Sequence, residues 1–291
     1  MKLLVNIFNP QETASQYNAK SDHMDYHSDL LYENIGGEEE NGLKVGFTVE
    51  EMIQLVYNEL KNTGLISNFA RLIYMFGHGG SSTNNPYFAG YNCGACSGRP
   101  STLNARLFAI IANREDVRAG VKSKGIEIPD TTHFVGGYHD TTQDVFSYFD
   151  EEAIPAELLE QHKGNVSKFK GALSMNAKER ARQFLTINIK ASAEKVHKKV
   201  IDRSRALFEP RPEYNHSNNC LFIIGRRSIT RNLFLDQRAF LNSYDYRTDP
   251  NGSSLKNILN AGTGVCGGIN LEYYNCGACS GRPSTLNARL F

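Results

Sequence analysis

From Phe47 onward the polar and apolar positions fall into a regular order. Met52, Ile53, Val56 and Leu60 recur at spacings of three and four, which places them on one face of a helix. Thr48 followed by Glu51 makes a capping box at its start, and Gly64 supplies the stop. A compact apolar run, Leu72-Ile-Tyr-Met-Phe76, follows and ends in Gly77-His-Gly-Gly80, so the pattern predicts a strand closed by a glycine turn. Asn84-Asn-Pro86 opens a polar loop that leads into a helix from about Ser101 to Asn113, with a short helix at 114 to 123 behind it. Thr132 to Tyr138 reads as a second strand, ending in His139-Asp-Thr-Thr142. Residues 151 to 162 and 176 to 208 read as helical, and RPEYNHSNN at 211 to 219 precedes a third apolar run, Leu221 to Ile224.

Buried runs alternating with helices predict an α/β fold with a mainly parallel sheet flanked by helices. Ligands in such sheets sit beyond the carboxyl ends of the strands, where both His78 and His139 fall. Residues 1 to 45 are polar, acidic and poor in periodicity, with GGEEENG at 36 to 42 as a loop, so that segment is expected to be poorly ordered. The sequence thus divides into this segment, an α/β domain over 46 to 273, and a final block at 274 to 291.

Composition narrows the function classes. The 291 residues are 40% hydrophobic, ample for a core, and 32 Lys and Arg nearly balance 31 Asp and Glu, so no net field favours nucleic acid, an anionic membrane face or an acidic substrate. The apolar runs are strand-sized, well below the roughly 20 residues of a membrane span. Residues 2 to 8 are too short for a signal peptide and lack its cleavage site, which gives a cytoplasmic expectation. Six cysteines in a chain of this length are not a disulfide framework, and four form Cys-x-x-Cys pairs at Cys93/Cys96 and Cys276/Cys279. The second pair belongs to an unchanged copy: YNCGACSGRPSTLNARLF stands at 91 to 108 and again at 274 to 291, and is read as a recent duplication or an artefact without function of its own.

His78 at a strand end between glycines and Cys93 fifteen residues on are a borderline and a soft ligand, respectively, on bendable backbone, a pairing that suits zinc. A hydrogen-bonded turn histidine and a small buried cysteine pair are the plainer readings of the same residues. An anion-binding loop over Gly77 to Ser82 is the rival, although no Lys-[Ser/Thr] follows to make it a nucleotide loop. His139 and Asp140 could border the same cleft as partners of the ligands or as a proton shuttle, or could simply end the strand. Arg226-Arg-Ser-Ile-Thr-Arg231 could hold a planar anion or a partner, or pair with Asp236 or Asp245. Cys220 and Cys266 read as packing residues, Cys96 as a small buried residue, and His23 with His27 as solvated loop.

The run FARLIYMFGHGGSSTNNPYFAGYNCGACSGRPSTLNAR from Phe69 to Arg106 resembles the heart of the probable inorganic carbon transporter subunit DabA family. The likeness continues through GIEIPDTTHFVGGYHDTTQDVFSYFD at 125 to 150, the stretch 211 to 259 and VCGGINLEYY at 265 to 274. The resemblance implies a β-carbonic-anhydrase-like zinc (Zn2+) site that hydrates CO2 to bicarbonate. The family's histidine and second cysteine fall on His78 and Cys93. Its remaining ligands, a cysteine and an aspartate in a Cys-x-Asp-x-Arg-Ser-Glu motif, belong upstream and are absent from this chain, which has no cysteine before Cys93. The chain is therefore expected to be a carboxyl-side piece with half of the metal site and an incomplete fold, inactive by itself. The resemblance further implies a membrane partner of the DabB type, similar to proton-translocating antiporter-like subunits, and a peripheral position on the cytoplasmic face of the inner membrane. Two other readings remain open: a non-catalytic scaffold piece that docks to a membrane subunit, and an independent zinc hydrolase with Asp140 or Cys96 as replacement ligands.

Overall fold

Both halves of the capping box form at the first helix: the Glu51 N–H donates to Thr48 Oγ1 over 3.4 Å, and the Thr48 N–H donates to the Glu51 carboxylate over 2.8 Å. That helix, α1 (Val49–Thr63), ends at Gly64 in the left-handed region, and its buried residues are the four read from the sequence. The computed structural model describes residues 30–81, 100–206, 208–209 and 219–264. Ahead of α1, the stretch read as a loop at 36 to 42 turns a short antiparallel hairpin of β1 (Glu39–Glu40) and β2 (Leu43–Lys44), with Asn41 and Gly42 both at positive φ.

β3 (Leu72–Gly79) is longer than its apolar run, because Gly77, His78 and Gly79 continue the strand. The chain returns through α2 (Thr102–Ala112) and α3 (Glu115–Ser123) to β4 (His133–Asp140), which pairs with β3 in parallel from Leu72↔His133 to Gly79↔Asp140. β5 (Val145–Tyr148) then pairs antiparallel with the second half of β4, so the sheet order is β3-β4-β5. Alternation along the strands separates two faces. Ile73, Met75 and Phe134 pack with α1, α2 and α3 in the main core, while Leu72, Tyr74, Val135 and Tyr148 pack with Ile154 and Leu158 on the other side.

Two glycines set how closely α2 lies on the sheet. A Cβ at Gly77 would stand 1.9 Å from the Ser101 carbonyl oxygen, and one at Gly136 would stand 2.8 Å from the Arg106 Cα. Only hydrogen fits at either contact, so the helix backbone rests directly on the strands. Among the described residues no strand flanks the first half of β4 on its β5 side, and there the Asn113 amide accepts from the Phe134 N–H at 2.9 Å and donates to its carbonyl at 2.8 Å. A side chain thus blocks an edge that could otherwise recruit a foreign strand.

The carboxyl half departs from the sequence pattern in three ways. Residues 151 to 158 form two single 3₁₀ turns, and one long helix, α4 (Leu159–Arg180), takes their place, running through Gly164 and Gly171. Pro155 stops the earlier turn from continuing, and the two glycines hide the helical period. α5 (Ala193–Arg205) restarts at Ser192, whose Oγ accepts from the Lys195 N–H, and packs Val196 and Val200 against Ala177 and Ala181 of the preceding turns. Finally, β6 (Leu221–Gly225) does not join the β3-β4-β5 sheet. It pairs in parallel with β7 (Ala239–Ser243) in a separate two-stranded sheet, followed by α6 (Ser253–Gly262). The fold is α/β, but its sheets are short and mixed rather than one mainly parallel sheet.

Gly77→Ala is expected to cost at least about 2 kcal/mol, because the new methyl meets backbone that cannot turn aside. Gly164→Ala, at an exposed helix position with open space around it, is expected to gain about 1 kcal/mol. Urea unfolding followed by circular dichroism checks both signs in one series.

Candidate functional site

His78 and His139 are register partners at the carboxyl ends of β3 and β4, so their side chains leave the same face of the sheet from backbones about 4.8 Å apart. Both are half-buried. Beneath them lies an aromatic wall: Phe146, opposite His139 on β5, stands edge-on to the imidazole at 4.9 Å and stacks on Phe76 at 4.0 Å, with Phe169 of α4 behind. The Ser101 N–H donates to the His78 carbonyl at 2.9 Å, so α2 begins directly against this strand end.

His139 is held from one side. Its Nε2 lies 3.2 Å from Asp144 Oδ1, and Asp144 is fully buried, with Arg180 against its other oxygen and Asn176 Nδ2 donating at 2.9 Å. Arg180 also donates to the Thr141 carbonyl at 2.6 Å, which ties α4 to the turn after β4. Asp144 sits at φ 55°, a left-handed position that Asp tolerates better than most residues and that turns its carboxylate back toward the strand end. A buried carboxylate on Nε2 orients the imidazole and sets its tautomer, the usual support for a histidine beside a reactive centre.

Asp140 alternates to the opposite face, with Gly79 as its register partner. Its Oδ1 accepts from the backbone N–H groups of Ser81, Thr142 and Gln143 at 3.0–3.3 Å, and its Oδ2 takes the Ser81 hydroxyl, which in turn accepts from Gln143 Nε2 at 2.8 Å. Burial pushes the Asp140 carboxyl above the usual range, against the lowering effect of these donors. The side chain knots the ends of β3 and β4 together. One layer further out, His197 of α5 reaches the Gln143 carbonyl at 2.8 Å, which fixes its proton on Nε2, and Nδ1 accepts from Ser174 at 3.0 Å. Burial lowers the His197 pKa and favours that neutral form.

Of the two residues read as zinc ligands, His78 occupies the strand end and Cys93 lies outside the described residues, as do Cys96, Cys266, Cys276, Cys279, His23, His27 and the copied block. Among the described residues no group of three or more His, Cys, Asp or Glu side chains is placed to hold a metal ion. His78 suits zinc chemically, whereas His139 is engaged by Asp144 and Asp140 by four donors from the opposite face. Donors beyond the described residues would have to complete a coordination shell. Elsewhere the sequence expectations shift. Asp236 pairs with Arg238 and Asp245 with Arg247, with Arg226 acting on Asp245 only through its field, and Cys220 is exposed rather than packed. A groove of about 880 Å³ lies toward the other end of β4, lined by Arg118, Asp130, His133 and Pro155, away from the two histidines. No helix among the described residues is long and apolar enough to cross a membrane.

Asp144, Arg180 and His197 were not legible as site residues. The polar run His139-Asp-Thr-Thr-Gln-Asp144 after a buried strand signals the first of them, but nothing local marks an arginine inside α4 or a histidine inside α5.

The geometry defines an α/β protein with a polar cluster at the carboxyl ends of two parallel strands. The family model described as "Probable inorganic carbon transporter subunit DabA" matches residues 1–275, and the chain belongs to that family. It is 49% identical over 276 residues to the probable inorganic carbon transporter subunit DabA of Azotobacter vinelandii, covering 94% of this chain and 32% of that protein. It is 46% identical over 281 residues to the corresponding protein of Nitrosospira multiformis, covering 94% of this chain and 30% of that one. A Rhodopirellula baltica relative is 43% identical over 231 residues, covering 79% and 22%. The chain therefore spans a third or less of the length of these relatives. No solved structure matches it.

Asp140→Asn keeps the oxygen that accepts three backbone N–H groups, so it is expected to cost under about 1 kcal/mol. Asp140→Ala strands those buried donors and is expected to cost about 3 kcal/mol or more. The raised carboxyl adds a pH signature. The unfolded Asp releases its proton near pH 4, before the folded one does, so stability falls as pH rises through that window. Chemical denaturation across pH checks this: the Asn variant should lack that part of the slope.

Proposed function

We propose that this chain supplies one half of a zinc site in a subunit of an energy-coupled system for inorganic carbon uptake. The observation that carries the reading is His78, a half-buried imidazole at the carboxyl end of β3 inside the family-matching sequence, beside a second histidine locked by a buried carboxylate. His78 and Cys93 are the ligands this chain would provide, and an upstream cysteine and aspartate of the longer family polypeptide would complete the set. When bound, zinc supplies the Lewis acidity that lowers the pKa of water to about 7, the chemistry by which CO2 becomes bicarbonate.

The chain's own residues prepare that site. Phe76 and Phe146 exclude water from one side and lower the local dielectric, which strengthens every charge interaction at the two imidazoles. His139, oriented by Asp144 and register partner of His78, is the imidazole that would carry a proton between the site and solvent. The network of Asp140, Ser81 and Gln143 fixes the two strand ends relative to one another, which sets the direction of the His78 side chain. The partner is a membrane subunit of the DabB type, on the cytoplasmic face of the inner membrane, which would couple proton flow to the hydration step.

Zinc content after dialysis, with stopped-flow CO2 hydration, tests the reading. The chain alone is expected to retain well below one zinc and to show negligible hydration. Co-expression with the remaining polypeptide of the Azotobacter vinelandii relative should raise zinc to about one per complex, and His78→Ala or Cys93→Ala should abolish the gain. A tightly held zinc with activity on the isolated chain would establish an independent zinc enzyme instead. A complex that forms but holds no zinc would leave the chain a docking scaffold.

A further inference from the structure

The segment 219–264 is built like the inside of a protein and yet lies at its surface. β6 and β7 are parallel, the arrangement that occurs with helices over both faces, because its apolar side chains point both ways. Here none of the aliphatic or aromatic residues of the segment is fully buried. Leu221, Ile229, Leu233, Phe234, Tyr246 and Leu259 are each 44–66% exposed. Phe222 packs on Phe240 with ring centroids 5.2 Å apart, and Gly262 of α6 lies directly against the Phe222 ring. Among the described residues no third strand pairs with either edge. The side chains of the two strands between Phe222 and Asn242 are only half-buried, and a two-stranded sheet with so little burial is marginal by itself in water.

We propose that this β6–β7–α6 unit is an interface for polypeptide of the family-length protein that lies outside this chain, an apolar α/β segment carrying acidic residues at its rim. Three observations select that occupant. The unit lies inside the family match, and the relatives extend over about three times this chain's length or more, so the polypeptide that could cover it exists in each of them. The unit holds six Lys and Arg against three Asp, with Arg226, Arg227 and Arg231 all exposed beside the apolar patch, so two copies of this face repel while an acidic rim attracts. Strand edges unpaired among the described residues call for backbone partners, which a lipid surface cannot provide. The inference does not depend on zinc.

The test uses the full chain with and without the remaining polypeptide of the Azotobacter vinelandii relative. Cys220, exposed just before β6, reports on cover through its alkylation rate, read peptide by peptide in mass spectrometry. Hydrogen exchange at 221–225 and 239–243 reports on the sheet. The expected result is a 1:1 complex in which Cys220 alkylation and exchange at both strands slow at least tenfold, and in which Ile229→Asp and Leu233→Asp weaken association at least tenfold. Both substitutions lie at exposed positions between the strands, so the chain alone should keep its helical signal. The proposal is overturned by strands already protected in the isolated monomer. It is equally overturned by a self-dimer that the two Asp variants dissociate, by flotation with liposomes that they abolish, or by a complex that they leave intact.

Discussion

The contact of α2 with the β3–β4 pair is the constraint on which the arrangement of the strand ends depends. Gly77 and Gly136 remove the side chains that would hold the helix away, so Ser101 and Arg106 backbone atoms lie against strand backbone. That closeness lets the Ser101 N–H reach the His78 carbonyl and lets Arg106 form a two-pronged pair with Asp150 just beyond β5. A single methyl at either glycine would lift the helix, and with it the start of α2 that borders His78. Close packing of backbone on backbone leaves little room to adjust, so the two histidines inherit a fixed relation.

Around that frame the protein buries two carboxylates within five residues, by two different means. Asp140 is satisfied almost wholly by backbone N–H groups and a hydroxyl, so its surroundings tolerate a neutral acid and burial dominates its pKa. Asp144 faces Arg180, Asn176 and His139, so it is met by charge and by side-chain donors. The first arrangement joins two strand ends; the second joins a strand end to α4. Below them a chain of side chains runs from Tyr74 through His162, whose Nδ1 and Nε2 contact the phenol at 3.0 Å and Glu151 at 2.8 Å, so the same helix is pinned twice along the sheet. Removing one member of either buried set leaves its partner without compensation, the costly direction for a polar network.

The main α/β layer and the β6–β7 unit answer different demands. The first has a continuous core over α1, α2, α3 and the sheet, with an edge that Asn113 closes on itself. The second has no fully buried apolar side chain, exposes six large ones, and has no further strand on its edges among the described residues. The chain corresponds to a third or less of the length of its relatives, and on the proposal above it is polypeptide outside this chain that covers the second unit.

Local signals in the sequence settled what local physics governs. The capping box at Thr48, the stop at Gly64, the apolar runs of β3, β4 and β6, and the placement of His78 and His139 at strand ends follow from periods of 3.6 and 2.0 and from glycine. The family motif around His78 was equally legible, because it is a string of letters and needs no geometry. Tertiary structure decided the rest. β5 and β7 are short and weakly patterned, and they exist because β4 and β6 offer them a ladder. α4 runs across two glycines because its buried side, from His162 through Ala177 to Arg180, is stabilised by the sheet and by α5 rather than by helix propensity. The Asp144–Arg180 pair joins residues far apart in sequence, and no spacing rule encodes a contact whose partners meet only after the helix has packed. Whether the third apolar strand extended the first sheet was likewise undecidable from its letters, since an apolar run fits any parallel ladder and only the surrounding packing selects its neighbour.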